Sequence, residues 1–290
     1  MNINSSFSHR TEEPESGVLY LVGTPIGNLS DISSRAINIL KNVSFIACED
    51  TRITRKLLNS FKINNKLISF HQHNLSKRMS YLISELKEGK SIALVSDAGM
   101  PLISDPGESL VSQVRNNNLD VISIPGPCAA ITALVSSGLD TQRFTFYGFL
   151  PRKTNEKKII LKSIAENKFS SIIYESPKRL KKLLLDLKLV CGGDRKISIA
   201  KELTKKYEFQ ITSLVDELIE ELGQTEPRGE YTIVIEGEKP GRIKDFRNEK
   251  IKQELIDLIE AGLRHSAAAT YLAKKYEIPK NIVYKLKIID

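Results

Sequence analysis

The chain has 290 residues, of which 41% are hydrophobic and 27% are charged, and its formal net charge is +8. This length and composition are typical of a globular protein with two domains. No stretch approaches the roughly 18 consecutive apolar residues that cross a bilayer, and the polar residues 1–16 lack the apolar core of a signal peptide. We therefore expect a soluble, cytoplasmic protein that makes no membrane contact and has a disordered segment at residues 1–16.

The positive charge is concentrated in one part of the chain. Residues 152–206 contain 16 Lys and Arg against 6 Asp and Glu. Such a surplus indicates either a polyanionic partner or a lysine-rich surface that only contacts water. Among the side chains of this region that are candidates for phosphate contacts are Lys153, Lys178 and Arg179.

The three cysteines, Cys48, Cys128 and Cys191, are far apart and have neither ligand nor redox spacing. Buried thiols in a reducing compartment are therefore expected, without disulfides. His71 and His73 would share one face of an extended segment, but no third ligand stands near them in the sequence. We expect no metal site.

From Val18 to about residue 138, short apolar runs alternate with helical patterns. The runs are VLYLV, FIA, KLISF, SIALV and VISI, and the segments between them have apolar residues at helical spacing. This alternation predicts an α/β domain over residues 17–138, with helices covering a parallel sheet.

Glycine, proline and acidic residues gather where each of these five strands ends. The segments are GTPIGN, EDTR, HQHN, SDAGMP and PGP. Open α/β sheets bind ligands at the carboxyl ends of their strands, so we expect a small-molecule crevice there. Arg52 and Arg55 would lie beside its mouth, where they are candidates for contacts to the phosphates of a polyanionic partner.

The glycines after the first strand do not match a nucleotide motif. Gly23 and Gly27 lack the G-x-G-x-x-G spacing, and no Lys-Ser/Thr pair follows them as a P-loop requires. The doubled phrase SDAGMPLISDPG, residues 96–107, predicts two rigid turns in which Asp97 and Asp105 fold over their own backbone. Carboxylates and main-chain carbonyls in such a loop suit a cationic or amino-bearing ligand.

Residues 139–237 predict a second α/β domain. Its predicted strands are FTFYGFL, SIIYE, KISIAKE, YEFQI and GEYTIVIEG, and their order favours a mixed sheet. A linker is predicted at residues 238–248, and the last part of residues 238–290 predicts short helices that resemble a helix-turn-helix.

Nine motifs occur in one order between Leu19 and Glu236. They are VGTPIGNLSDI, ACEDTR, SFHQHN, VSDAGMPLISDPG, IPGPCAAITAL, FYGFLPRK, YESPKRL, KELTKKYE and RGEYTIVIEG. In this order they resemble the tetrapyrrole methylase superfamily, and within it the enzymes that methylate the ribose 2′-oxygen of a cytidine in the decoding centre of 16S rRNA. The resemblance implies a homodimer of two-domain α/β subunits that holds S-adenosylmethionine between its domains. It also implies that the partner is 16S rRNA, within the small ribosomal subunit.

The resemblance also implies the site residues. The donor-site candidates are Pro25, Gly27, Asp97, Gly99, Pro101, Asp105, Pro106, Gly107 and Gly126. Asp97 is the first candidate for the general base because a carboxylate at the crevice can orient the attacking hydroxyl. Glu49 and Asp50 are the next candidates, and Glu202 with Lys205, from the second domain, would complete the site.

Two other functions remain open at this point. The first is a methylase of the same superfamily that acts on a porphyrinoid, against which the basic region and the helix-turn-helix-like tail favour RNA. The second is a nucleic-acid-binding regulator that merely retains a ligand pocket, which would need neither the doubled turn nor carboxylates at the crevice.

Overall fold

The computed structural model describes residues 13–72, 74–105, 107–223, 226–238, 245–276, 278–284 and 286. Among these residues, no helix has both the length and the apolar character needed to cross a membrane. By its internal contacts the chain divides into two compact units. Unit 1 comprises Met1–Thr132 with Glu202–Glu208, and unit 2 comprises Ala133–Lys201 with Phe209–Asp290.

Unit 1 is built on the predicted parallel sheet. Its strands are β1 (Val18–Val22), β2 (Phe45–Cys48), β3 (Leu67–Ser69), β4 (Ile92–Val95) and β5 (Asp120–Ile124). They lie in the order β3-β2-β4-β1-β5, and every pair is parallel. All five carboxyl ends therefore meet at one edge, as the strand-end loops require.

Helices cover both faces of this sheet. They are α1 (Ser34–Asn42), α2 (Thr51–Ser60), α3 (Leu75–Lys87) and α4 (Glu108–Asn116). Side chains alternate along a strand, so Tyr20 packs with α1 and α2 while Leu19 packs with α3 and α4. Burial of each such large side chain contributes about 1.5–3 kcal/mol, which holds the strand ends in fixed positions.

The predicted disorder of residues 1–16 is wrong for its last four residues. Glu13 accepts two hydrogen bonds from the Arg35 guanidinium, at 2.7 and 2.6 Å. Ser16 donates its hydroxyl to the Gly89 carbonyl at 2.7 Å. A bidentate carboxylate pair gives this polar segment a fixed partner that composition does not reveal. Residues 1–12 lie outside the described residues.

Unit 2 contains the mixed sheet that the sequence predicts. Its strands are β6 (Phe144–Phe149), β7 (Ser170–Glu175), β8 (Lys196–Lys201), β9 (Phe209–Leu214) and β10 (Tyr231–Ile235), in the order β6-β7-β10-β8-β9. Only the pair β6 and β7 is parallel. Helix α5 (Ala129–Ser136) precedes this sheet, and the division between the units falls inside it.

Three further helices, α6 (Thr154–Glu166), α7 (Pro177–Cys191) and α8 (Val215–Gly223), belong to unit 2. In α7, Leu180, Leu183, Leu184 and Leu187 are buried at helical spacing and form part of the core of this unit. The lysines that alternate with these leucines, such as Lys178 and Lys182, are exposed. In α7, part of the positive charge of residues 152–206 therefore lies on the water-facing side of an amphipathic helix.

The C-terminal helices are α9 (Asp245–Glu260), α10 (His265–Lys275) and α11 (Lys280–Tyr284). They enclose a small core of their own around Ile251, Leu255 and Leu272. The short pair α10 and α11 agrees with the predicted helix-turn-helix-like module. Because α9 begins at Asp245, the end of the predicted linker is helical, and residues 239–244 lie outside the described residues.

Candidate functional site

The loops that follow β1 and β4 are joined by backbone hydrogen bonds. Thr24 donates its N–H to the Gly99 carbonyl at 2.9 Å, and Gly99 donates to the Thr24 carbonyl at 3.1 Å. Thr24 is fully buried, and its hydroxyl donates to the Ser96 carbonyl at 3.4 Å. Two of the five loops that the sequence singled out therefore form one rigid element.

The loop after β5 packs against the same element through glycine. A Cβ added to Gly23 would lie 2.7 Å from the Gly126 Cα and 2.7 Å from the Met100 Sδ. Real Cβ atoms do not approach neighbours so closely, so Gly23 and Gly126 allow two backbones to touch. Three strand-end loops thus converge, and they present main-chain atoms rather than large side chains.

Asp97 connects this element to the loop after β2. Its Oδ1 accepts a hydrogen bond from the Asp50 N–H at 3.2 Å. This carboxylate oxygen is therefore used between two loops, a contact that the predicted turn of Asp97 over its own backbone did not include. Asp97 stays half-buried, so the rest of the carboxylate remains accessible to a ligand.

Asp50 has a structural task at the start of α2. It is the N-cap, accepting from the Arg52 N–H at 2.8 Å, and the Arg52 guanidinium donates to both of its oxygens, the shortest contact being 2.6 Å. These bonds hold the pKa of the Asp50 carboxyl well below its usual range. A carboxylate of such low basicity is a poor proton acceptor, which places Asp50 behind Asp97 and Glu49 as a base.

Three other carboxyl groups near the carboxyl ends of the strands have raised rather than lowered pKa values. Burial raises the pKa of Asp97, against the opposing hydrogen bond from Asp50. Burial, reinforced by the charge of Asp97, raises the pKa of Glu49. Burial raises the pKa of Asp105 to about 6, although a hydrogen bond with Ser96 opposes the shift. Perturbed carboxyl groups at the strand ends are typical of a functional site.

The doubled phrase forms a strained turn. Gly99 and Gly107 have φ values of 82° and 128°, as the sequence predicts for glycine in this loop. Leu102 and Ser104 also have positive φ, at 75° and 66°, which costs energy for residues with a Cβ. Sequence patterns did not indicate this strain, because neither residue type favours such a conformation. Pro101 is buried, and Pro106 lies outside the described residues.

The segment Glu202–Glu208, between β8 and β9, belongs to unit 1 by its contacts. Thr204 accepts a hydrogen bond from the Asn28 N–H at 3.1 Å, and a Cβ on Gly27 would overlap the Lys205 side chain. Lys205 pairs with Glu202, Nζ to Oε1, at 3.0 Å. From the sequence, Glu202 and Lys205 are predicted as a contribution of the second domain, whereas they belong to the segment that packs beside the first strand-end loop. Thr204 was missed, because nothing local marks it.

Histidine and cysteine are the residue types considered as metal ligands in this chain. His71 donates its backbone N–H to the Asn74 Oδ1 at 2.9 Å, and His73 lies outside the described residues. Cys48 and Cys191 are buried, and burial raises the pKa of the Cys48 thiol. Within the described part of the chain, no cluster of three or more His, Cys, Asp or Glu is placed to hold a metal ion.

The candidates for RNA contacts differ in how far their charges are already used. Arg55 donates Nη1 to the Asn65 carbonyl at 3.1 Å. Arg179 lies 3.2 Å, Nε to Oε1, from the buried Glu175 and also donates to the Leu150 carbonyl at 2.8 Å. Arg52, Lys153 and Lys178 are exposed. The charges of Arg52 and Lys153 are also partly used, since Arg52 is paired with Asp50 at 2.6 Å and Lys153 lies 3.2 Å from Glu156, so greater exposure is what separates these three from Arg55 and Arg179.

These features define an α/β protein whose glycine-rich strand ends converge and carry partly buried carboxyl groups with raised pKa values. The family model for Tetrapyrrole (Corrin/Porphyrin) Methylases matches residues 18–219. The chain belongs to the tetrapyrrole methylase family, and methyltransferases of this family use S-adenosylmethionine.

Within the family the chain groups with proteins named Ribosomal RNA small subunit methyltransferase I. It is 43% identical to the protein of that name from Synechocystis sp., over 94% of this chain and 98% of that protein. It is 41% identical to the one from Halalkalibacterium halodurans, over 99% of each chain. Among solved structures, uroporphyrin-III C-methyl transferase from Thermus thermophilus, complexed with S-adenyl homocysteine, has a TM-score of 0.53 at 16% identity, covering 75% of this chain and 96% of that one. That likeness establishes the fold alone.

Proposed function

We propose that the protein is an S-adenosylmethionine-dependent methyltransferase of small-subunit rRNA. The finer proposal is that the methyl group goes to the ribose 2′-oxygen of a cytidine in the decoding centre of 16S rRNA. The supporting observation is the identity of about 40%, over nearly the full length, to proteins that carry the name of a small-subunit rRNA methyltransferase. Action as a homodimer on the assembled subunit is part of the proposal.

The strand-end loops suit the methyl donor. Glycine at positions 23 and 126 lets the backbones of the loops after β1 and β5 touch, and half-buried carboxylates lie on the neighbouring loops. Carbonyl and carboxylate oxygens fit the positively charged sulfonium and amino groups of S-adenosylmethionine. The residues that we propose to hold it are Pro25, Gly27, Asp97, Gly99, Pro101, Asp105, Gly107 and Gly126.

Bound S-adenosylmethionine supplies an electrophilic methyl group on sulfur. The protein then has to orient the ribose hydroxyl and accept its proton as the new carbon–oxygen bond forms. Asp97 is the proposed acceptor, since its raised pKa makes it a stronger base than an ordinary Asp and its Oδ1 is fixed by Asp50. Glu49, whose pKa is also raised, is the alternative acceptor on the neighbouring loop.

The site requires no covalent intermediate on the protein. Direct transfer between two bound substrates gains most of its rate from alignment, which rigid backbone loops provide well. The two backbone hydrogen bonds between Thr24 and Gly99 hold two of these loops rigid. Asp105, with a pKa of about 6, would be charged at neutral pH and would favour a cationic ligand.

The experiment is transfer of a radiolabelled methyl group to three acceptors in parallel. These are small ribosomal subunits that lack the modification, naked 16S rRNA and a porphyrinoid precursor. Label recovered from the subunit as an alkali-resistant dinucleotide is the expected result, because a methylated 2′-oxygen cannot take part in alkaline cleavage. Label on an RNA base would overturn the 2′-oxygen specificity, and label on the porphyrinoid alone would overturn the rRNA function.

A further inference from the structure

One face of α10 is exposed and concave. The side chains of this face, here called the α10 face, line an open depression of about 590 Å³. They are Arg264, Ser266, Ala267, Thr270, Tyr271 and Lys274. All six are exposed, although α10 also has a buried face.

The α10 face takes no part in holding the helical module together. The buried residues of α10 are Ala268, Ala269 and Leu272, which pack with α9 and α11. Tyr271, by contrast, is 55% exposed. The helical module has a core of its own that does not use the Tyr271 ring. The exposed ring is therefore a planar surface that a partner can contact.

The charge on this face is positive. The segment from Arg264 to Lys275 contains four basic residues, one of them His265, and neither Asp nor Glu. Lys275 pairs with Glu254 on α9 at 2.8 Å, whereas neither Arg264 nor Lys274 forms an ion pair with another described residue. Lys280 of α11 donates to the Ser266 hydroxyl at 3.1 Å and so brings another cation to the edge of the depression.

We propose that the α10 face binds a single-stranded or looped segment of the rRNA substrate, an inference that rests on the proposed function. Arg264 and Lys274 contact phosphates, and Tyr271 stacks on an unpaired base. The Ser266 hydroxyl, which accepts from Lys280, keeps its proton for a phosphate or ribose oxygen, whereas the Thr270 hydroxyl donates to the Ser266 carbonyl at 2.7 Å and can accept from a ribose hydroxyl. The lone aromatic ring among cations and hydroxyls favours RNA over a protein partner, whose docking surface would be more continuously apolar.

The test uses the full-length protein and a transcript of 16S rRNA, with the dissociation constant measured at several salt concentrations. Tyr271→Ala should weaken binding about tenfold, the typical cost of one lost stacking contact. Lys274→Gln should weaken binding and reduce the dependence of log K on log salt by about 0.7–0.9, the value for one phosphate contact.

Lys275→Gln is the matched control. It removes the same charge from the neighbouring position of the same helix, but its ion pair with Glu254 shows that it serves the module itself. We expect it to lower thermal stability slightly and to leave the salt dependence of RNA binding unchanged. Circular dichroism and S-adenosylmethionine binding of every variant would verify that unit 1 is intact.

The outcomes separate this inference from the proposed function. Suppose that the wild type methylates small subunits and that the Tyr271 and Lys274 variants bind the transcript as tightly as the Lys275 variant. The proposed RNA binding by the α10 face is then wrong, and the proposed function is unaffected. If the variants lose binding to assembled subunits but not to the naked transcript, the partner is a ribosomal protein and the inference is overturned. If the wild type methylates no RNA, the proposed function fails, whichever variants bind the transcript.

Discussion

Thr24 and Gly99 exchange two backbone hydrogen bonds, of 2.9 and 3.1 Å, although one follows β1 and the other follows β4. The pair is a single antiparallel bridge outside the strands of the parallel sheet. It fixes the first glycine loop against the doubled Ser-Asp phrase. The proposed donor site therefore has a wall whose geometry is set by main-chain bonds, which side-chain substitutions at its surface cannot easily displace.

Close contact between Gly23 and Gly126 should make both positions intolerant of a methyl group. Gly23→Ala places a Cβ 2.7 Å from the Gly126 Cα, so one loop has to move. We expect a loss of about 1–3 kcal/mol in the free energy of unfolding, measured by urea titration, together with weaker S-adenosylmethionine binding. Gly223→Ala is the control, since no described atom outside its own helix backbone and chain neighbours lies within 4 Å of its added Cβ.

Asp97→Asn should separate donor binding from methyl transfer. The amide keeps the size of the carboxylate and can still accept from the Asp50 N–H, but it cannot take up a proton. We expect the single-turnover rate to fall by about 10²–10⁴, the range for loss of a general base, while donor affinity measured by calorimetry changes by less than about tenfold.

The pH dependence of the wild-type rate is a second test of Asp97 as the general base. The rate should rise with pH and level off above the raised pKa of Asp97, because only the ionised carboxylate accepts a proton. A full rate in Asp97→Asn with an unchanged profile would transfer the role of base to Glu49, for which Glu49→Gln is the corresponding variant.

Asp105 should make the protein less stable as the pH rises. Its pKa of about 6 in the folded state exceeds the ordinary value of 3.8, so the folded state binds the proton more tightly than the unfolded chain. This contribution to stability is present below pH 3.8 and is lost as the pH rises to about 6.

Asp105→Asn removes this dependence. It should raise the free energy of unfolding by about 1–2 kcal/mol above pH 6, a value discounted for the partial exposure of the carboxyl group, and by much less near pH 4. Thermal melts of both proteins at pH 4 and pH 7.5 measure the difference. An equal gain at both pH values would mean that the mutation acts through packing rather than through charge.

The hydroxyl of Thr204 should position the first donor loop. Thr204→Val keeps the shape of the side chain but leaves the Asn28 N–H without this acceptor. Loss of one hydrogen bond, worth about 0.5–1.5 kcal/mol, should raise the KM for S-adenosylmethionine between about 2-fold and 13-fold with little change in kcat. Thr204→Ser retains the hydroxyl and should restore the wild-type KM. Failure to do so would assign the effect to the strained backbone of Thr204, whose φ is 66°.

Arg179 and its neighbour Lys178 should behave differently although both were predicted to bind RNA. Arg179→Ala removes the guanidinium that pairs with the buried carboxylate of Glu175. We therefore expect a loss of about 2–3 kcal/mol in the free energy of unfolding. Lys178→Ala, at an exposed position, should change stability by less than about 0.5 kcal/mol. If the Arg179 variant is fully stable yet shows a reduced salt dependence of RNA binding, Arg179 is an RNA contact after all.

Much of the fold follows from the sequence, because the local periodicity of apolar residues predicts secondary structure. Apolar runs such as VLYLV and YTIVI, separated by helical spacing, correspond to β1 and β10. The mixed order of the second sheet was also predicted from its strands. The contacts of residues 13–16 were not predicted, since no pattern in this polar segment indicates that Glu13 binds Arg35.

The candidate site was predicted as a set of loops but not as a set of contacts. Glycine and proline at the strand ends showed where the chain turns, and the parallel sheet brought those ends together. Whether Asp97 folds over its own backbone or bonds to Asp50 depends on a residue 47 positions away. Likewise the bond between Asn28 and Thr204 spans 176 positions.

The sequence by itself determined the strands, the helices and the loops that carry Asp97 and the glycines, because neighbouring residues specify local backbone conformation. Only the tertiary structure decided that Thr24 bridges to Gly99, that the segment Glu202–Glu208 belongs to unit 1, and that Arg179 faces a buried carboxylate. These arrangements depend on distances through space and on burial. Such distances are fixed when whole sheets and helices pack, and no local pattern encodes them.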